Sequence, residues 1–180
     1  MIAKCMTVVL LSSLLWPVRL QKEDDTMAWS ATRRLAWSDF KGQPDGNSSD
    51  AALTSSSIEF GYNYDSRVGF TWHIKCLFDK NRSWGKVKND YILAHEQGHF
   101  DITEIFARRL QKQFKEYHFN KEKAQQEVPA FYQAIMKQQT ETQQRYDDET
   151  DHSRVKDKQA VWLEKIKKDL EEMKAYADYN

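Results

Sequence analysis

Cysteine is scarce, with two in 180 residues. Those two, Cys5 and Cys76, lie far apart, so a disulfide framework is excluded as the source of stability. A surplus of one charge is also missing. The 27 basic and 27 acidic residues cancel, which leaves no electrostatic footprint for nucleic acid or for an anionic membrane surface. No apolar run is long enough to cross a bilayer comfortably. Internal repeats and long low-complexity tracts are absent too; the Gln-rich KQQTETQQ is short. A chain of this length with 40% hydrophobic and 13% aromatic residues builds one core and one domain.

The first residues carry Lys4, then an uncharged run from Cys5 to Val18, then Arg19 and a polar segment. This outline predicts a signal peptide over residues 1–20, or an uncleaved anchor that holds the remainder outside the inner membrane. The predicted location is therefore secreted or periplasmic, with membrane contact only through that segment. Val18-Arg19-Leu20 lacks the small residues of an A-x-A-like cleavage site, and Cys5 comes too early for a lipid-modified cysteine. Cleavage near residue 20 leaves Cys76 as a free, inward-facing thiol. Residues 21–34 are polar and aperiodic and read as a linker, which puts the start of the domain, residues 35–180, near Leu35. Pro44 to Ser49 is a cluster of turn formers and reads as a surface loop.

Two periodicities follow. In VGFTWHIKCLFD, Val68, Phe70, Trp72, Ile74, Cys76 and Phe78 alternate with polar residues, the period of a half-buried antiparallel strand. IEFGYNYD supplies its partner through a turn at Asp65-Ser66-Arg67, and His73 falls on the solvent face. From Asp90 onward the spacing is helical. Three helices are expected: one from about Asp90 to Tyr117; one capped by Asn120 that buries Val128, Phe131, Tyr132 and Ile135; and one carrying Trp162, Ile166, Leu170 and Met173. Breaks are expected near His118 to Asn120 and from Tyr146 to Ser153. The fold class is α+β, a small antiparallel sheet packed on a long helix and followed by two more.

The long helix contains YILAHEQGHF. Successive residues turn by about 100° on a helix, so His95 and His99 point within about 40° of each other, one turn apart, and both imidazoles can meet one ion. Glu96 flanks them, placed to reach a water on that ion, which is the arrangement of the metallopeptidase motif H-E-x-x-H. Gly98 removes a side chain beside the metal and lets neighbouring backbone approach. Asp101 and Glu104 point away from the pair, and Ile102 stands where the longer histidine motif has glycine. A third ligand must come from later in the chain. His118, Glu122, Glu127 and YDDETDHS (146–153) are the candidates. His152 is favoured because it stands in an expected irregular hinge between two helices, with neighbouring carboxylates to orient its ring.

LAWSDFKG (35–42), AALTSSSIEF, HEQGHFDI (95–102) and YDDETDH (146–152) together resemble a bacterial family of domains of unknown function described as predicted secreted zinc-dependent proteases. The resemblance covers most of the chain from Leu35 on. It implies a zincin-like fold, Zn2+ as cofactor, His95, His99 and His152 as ligands, and Glu96 as catalytic base. Ser153 departs from it, since glycine is expected after the last histidine. Trp37 and Phe40 are expected to pack the core of an early strand rather than line a cleft. Tyr146 is a second candidate catalytic residue, a phenol near the third ligand that reaches the substrate oxygen. The expected activity is an exported zinc endopeptidase acting on a peptide or protein. A metal-dependent amidase of cell-wall material and a non-enzymatic exported domain with a structural zinc are the alternatives.

Overall fold

The computed structural model describes residues 25–179; the N-terminal segment assigned above to export lies outside the described residues. The chain forms β1 (Thr26–Ala28), a 3-10 turn at Trp37–Asp39, β2 (Ala52–Leu53), β3 (Ser56–Asp65), β4 (Gly69–Asp79) and β5 (Trp84–Gly85). Then come α1 (Asp90–Lys115), α2 (Lys121–Thr150), α3 (Lys156–Glu172) and a last 3-10 turn at Lys174–Tyr176. This is the expected α+β architecture, with its sheet preceding three helices.

β3 and β4 form a long antiparallel hairpin, paired from Ser56↔Phe78 to Asp65↔Gly69. Asp65 turns the corner by accepting the Arg67 and Val68 N–H groups on its side chain, and Gly69 takes a φ of +90°, which glycine adopts at no steric cost. The alternation of β4 buries Ile74, Cys76 and Phe78. Val68, expected on the same face, is 74% exposed, because it belongs to the turn and not to the strand. Cys76 is free and buried, and burial pushes its thiol well above the usual range.

β1 extends this sheet on the other side of β4, pairing Thr26↔Asp79 to Ala28↔Leu77. Part of the segment read as a linker is thus built into the domain. Trp29 Nε1 donates to Asp101 on α1, and Arg34 forms a two-pronged ion pair with the same carboxylate.

α1 starts at Asn89, whose side chain accepts the Ile92 N–H, and it is the central element, enclosed by the sheet, α2 and α3. Phe100 packs on Phe78, and Phe114 stacks on Phe60. Because it is covered on several sides, its buried polar residues need partners. Arg108 Nε donates to Glu104, which also accepts from Tyr179 near the C-terminus, and Trp72 donates to Gln111.

α2 begins at Asn120 as expected, the side chain capping Glu122 and Lys123. It does not break at Tyr146. Tyr146 is fully buried and Asp147 lies beside the histidines of α1, so tertiary contacts hold this polar stretch helical as far as Thr150. The reversal comes in three residues, Asp151, His152 and Ser153, all left-handed with φ of 46°, 50° and 73°. Such a run is costly for side-chain-bearing residues. It is tied down by Tyr91 Oη donating to the Ser153 carbonyl, His152 N–H to the Asp147 carbonyl and Val155 N–H to the Thr150 carbonyl.

Candidate metal centre

His95 and His99 project from one face of α1 with Nε2 atoms 3.2 Å apart. Asp147, from the last turn of α2, puts Oδ1 3.1 Å from His95 Nε2 and 3.0 Å from His99 Nε2. These three side chains form a donor group compact enough to hold one metal ion. A tetrahedral ion bound at about 2.0 Å needs donors about 3.3 Å apart, so the triangle matches one face of that tetrahedron. The chemistry of the set also fits: two imidazoles and a carboxylate suit a borderline divalent cation.

The two imidazoles are backed differently. His99 Nδ1 lies 2.6 Å from Gln143 Oε1, and the Gln143 amide nitrogen donates to the His99 carbonyl. A bond from the second ring nitrogen is the usual way to fix a ligand's orientation. His95 has no such bond, since its buried Nδ1 lacks a hydrogen-bond partner; its ring lies instead against Tyr146, centroids 4.5 Å apart and planes 22° from parallel.

Charge in the group is uneven. Burial lowers the His95 pKa below its ordinary value, against the opposing pull of Asp147. For His99 burial acts the same way, but the hydrogen bond to Asp147 and its charge outweigh it and bring the imidazole up to about 9. Burial also works to raise Asp147, yet the hydrogen bonds from both histidines hold its carboxyl well below the usual carboxylate range. Glu96 is buried, which pushes its pKa up, and its Oε2 has no hydrogen-bond partner.

A cavity of about 410 Å³ opens over these groups. Gln139, Thr140, Gln143 and Asp147 of α2 form one wall, a stretch of about 12 Å along the helix axis. Residues 50–56 form the other. Ala51 accepts the Lys86 N–H on the β5 side. With Ala52 opposite Gly85, ladder alternation turns the Ala52 N–H and C=O away from β5.

His152 lines the same cavity but stands outside the donor triangle. Its Nδ1 is 3.8 Å from Asp147 Oδ1 and 3.7 Å from Asp50 Oδ1, and its side chain is 42% exposed. Tyr146 does not line the cavity: its hydroxyl donates to the His95 carbonyl at 3.3 Å. Gly98 accommodates that tyrosine rather than backbone, since a Cβ there would lie 2.5 Å from the Tyr146 hydroxyl oxygen. Asp101 and Glu104 are engaged elsewhere, as their direction on the helix predicts. Glu122 and Glu127 sit in the first two turns of α2, Glu127 accepting from Tyr117; about 30 Å of helix separates Glu127 from Asp147. His118 follows the end of α1, equally remote in the chain's course. Phe40 is core, packed on Phe78. Trp37 covers Phe40 and lies against Gly85, on a 3-10 turn rather than a strand.

Asp147 lies within the candidate stretch 146–153, where sequence reasoning favours His152 as the third donor instead. The sequence puts the helix break at Tyr146, five residues before the reversal begins at Asp151, so Asp147 reads only as a carboxylate beside His152. Its signal was its place beside Tyr146, in a helix whose register the buried tyrosine sets. Residues 21–153 match the model of a family described as a bacterial protein of unknown function, DUF922. No curated protein and no solved structure matches the chain.

Proposed function

The chain belongs to the DUF922 family, a bacterial family of unknown function, and from its metal centre we propose that it is an exported zinc-dependent endopeptidase. The observation that carries this reading is the triangle of His95, His99 and Asp147 donors beside a buried carboxylate with a free oxygen. His95, His99 and Asp147 hold the ion, and zinc when bound supplies Lewis acidity and a water of lowered pKa. Glu96 Oε2 accepts the proton of the attacking water and delivers it to the departing amine. Its desolvated setting favours the protonated intermediate state that this transfer requires. A peptide lies extended in the cavity, its main chain bonded to the outward N–H and C=O of Ala52.

Among the alternatives, a structural zinc calls for four protein donors. The position of His152, outside the triangle and partly exposed, favours a centre with room for solvent instead. An amidase acting on cell-wall material uses the same groups and differs in substrate alone. The test is Glu96→Gln, assayed on a mixed peptide library and on peptidoglycan fragments with products identified by mass. Zinc content stays as in wild type and peptide cleavage falls by about 10²–10⁴-fold. Equal cleavage by both proteins rejects the mechanism, and cleavage confined to peptidoglycan selects the amidase.

A further inference from the structure

The two imidazoles of the centre are oriented by different means. His99 is gripped at Nδ1 by Gln143. His95 has a buried Nδ1 with no partner, so no hydrogen bond at that atom fixes its rotation. What lies against it is a ring: Tyr146 stacks on His95 at 4.5 Å and 22°, and meets His99 edge-on at 5.0 Å and 65°. Tyr146 in turn lies against Trp162 of α3, tilted by 53° with centroids 5.3 Å apart.

We propose that Tyr146 is a positioning residue of the metal centre: its ring sets the angle of His95, and its seat against Gly98 fixes the register that brings Asp147 to both imidazoles. This inference rests on the proposed metal centre. Two contacts and the order of the chain converge on it. The tyrosine hydroxyl donates to the His95 carbonyl, tying α2 to α1 at the first ligand. The space over Gly98 is taken by the same phenol, with Tyr146 Oη, Cζ and Cε1 at 2.5, 2.9 and 3.0 Å from where a Cβ would stand. Asp147 is the next residue along, so any slip of Tyr146 carries the third donor with it. The glycine within His-Glu-Gln-Gly-His and a tyrosine 48 positions later are then one device, a notch and the ring that fills it.

The prediction is a division of labour that a general packing role does not produce. In metal-free full-length protein, imidazole nitrogen and carbon resonances are followed by NMR in Tyr146→Leu and Gln143→Leu. Tyr146→Leu shifts and broadens His95 more than His99, whose Nδ1 keeps its bond to Gln143; Gln143→Leu disturbs His99 more than His95. Zinc affinity, measured by competition with a chromogenic chelator, falls at least tenfold in Tyr146→Leu and stays within about threefold in Tyr146→Phe, which keeps the ring. Gly98→Ala keeps every ligand residue and pushes on the Tyr146 ring, so it also lowers affinity at least tenfold, and it decides the matter should Tyr146→Leu fail to fold. Wild-type zinc affinity in folded Tyr146→Leu or in Gly98→Ala overturns the proposal, as does equal disturbance of both histidines in Tyr146→Leu. If wild-type protein binds no zinc, the proposed function fails, while the spectra of the metal-free variants still decide the role of Tyr146 in orienting His95.

Discussion

Replacing Asp101 by alanine should loosen the domain from its N-terminal side. This carboxylate is buried on the face of α1 away from the metal centre and accepts from Trp29 Nε1 at 2.8 Å, Gln97 Nε2 at 2.9 Å and Arg34 at 2.6 and 3.1 Å. Two of its bonds come from neutral donors, and each hydrogen bond to a charged group contributes about 1.5 kcal/mol at the lower end. The Arg34 side chain is half exposed, so its pair adds at most about 1 kcal/mol after solvent screening. The loss is about 4 kcal/mol, a large share of the 5–15 kcal/mol typical of a domain. With a slope of about 2 kcal/mol per molar urea, the unfolding midpoint measured by circular dichroism falls by about 2 M. Asp101→Asn, which keeps one acceptor, loses roughly half as much. Hydrogen exchange should speed up first at residues 26–35, where Leu35 N–H is bonded to Gln97 Oε1. A midpoint for Asp101→Ala within about 0.5 M of wild type, a quarter of the shift expected from that slope, would refute the reasoning.

Stability of the metal-free protein should depend on pH through His99. Its imidazole rises from 6.5 to about 9 on folding, so the stabilisation is complete below pH 6.5 and is lost as pH climbs through 9. The size is about 3 kcal/mol, shared with Asp147 and not additional to it. Asp147, whose carboxyl is depressed, contributes the acid limb, where stability is lost as pH falls below the usual carboxylate range. Calorimetry of wild type and His99→Gln checks this: a melting temperature that holds steady in wild type from pH 6.5 to 9 contradicts it. Ser153→Gly relieves a left-handed residue at φ 73°, and after the entropy glycine adds to the unfolded chain it should stabilise by about 0.5 kcal/mol. Ser153→Val should instead destabilise by at least about 1 kcal/mol; equal melting curves for the two variants would show that the turn carries no strain.

Local pattern carried the parts of this fold whose partners are near in sequence. The alternation in β4, the Asp65 turn and the cap Asn120 depend on neighbours a few residues away, and the spacing of His95 and His99 is a property of any helix. What escaped depends on distant contacts. Thr26 to Arg34 look like a linker because their partners lie on β4 and α1, with Asp101 67 and 72 residues beyond Arg34 and Trp29. Asp147, Glu149 and Thr150 look like a hinge because polar residues favour turns in isolation. In the folded chain Asp147 meets two imidazoles, Glu149 accepts from Trp162, and Thr150 donates to the Tyr146 carbonyl. Placing the helix break at Tyr146, five residues before the reversal at Asp151, is what favours His152 over Asp147 as the candidate third donor. Gly98 reads as a gap, but what fills it is set by the register between α1 and α2, which no local spacing reports.

The most direct measurement is zinc stoichiometry and affinity, by elemental analysis and chelator competition, in wild type, Asp147→Ala and His152→Ala. One zinc per chain in wild type, a loss in affinity on removing Asp147 that exceeds the roughly 10–100-fold typical of an outer-shell partner, and a change under about tenfold on removing His152 are the results predicted. Zinc binding that survives the Asp147 change but disappears with His152, or a wild-type protein that takes up no metal, contradicts the account.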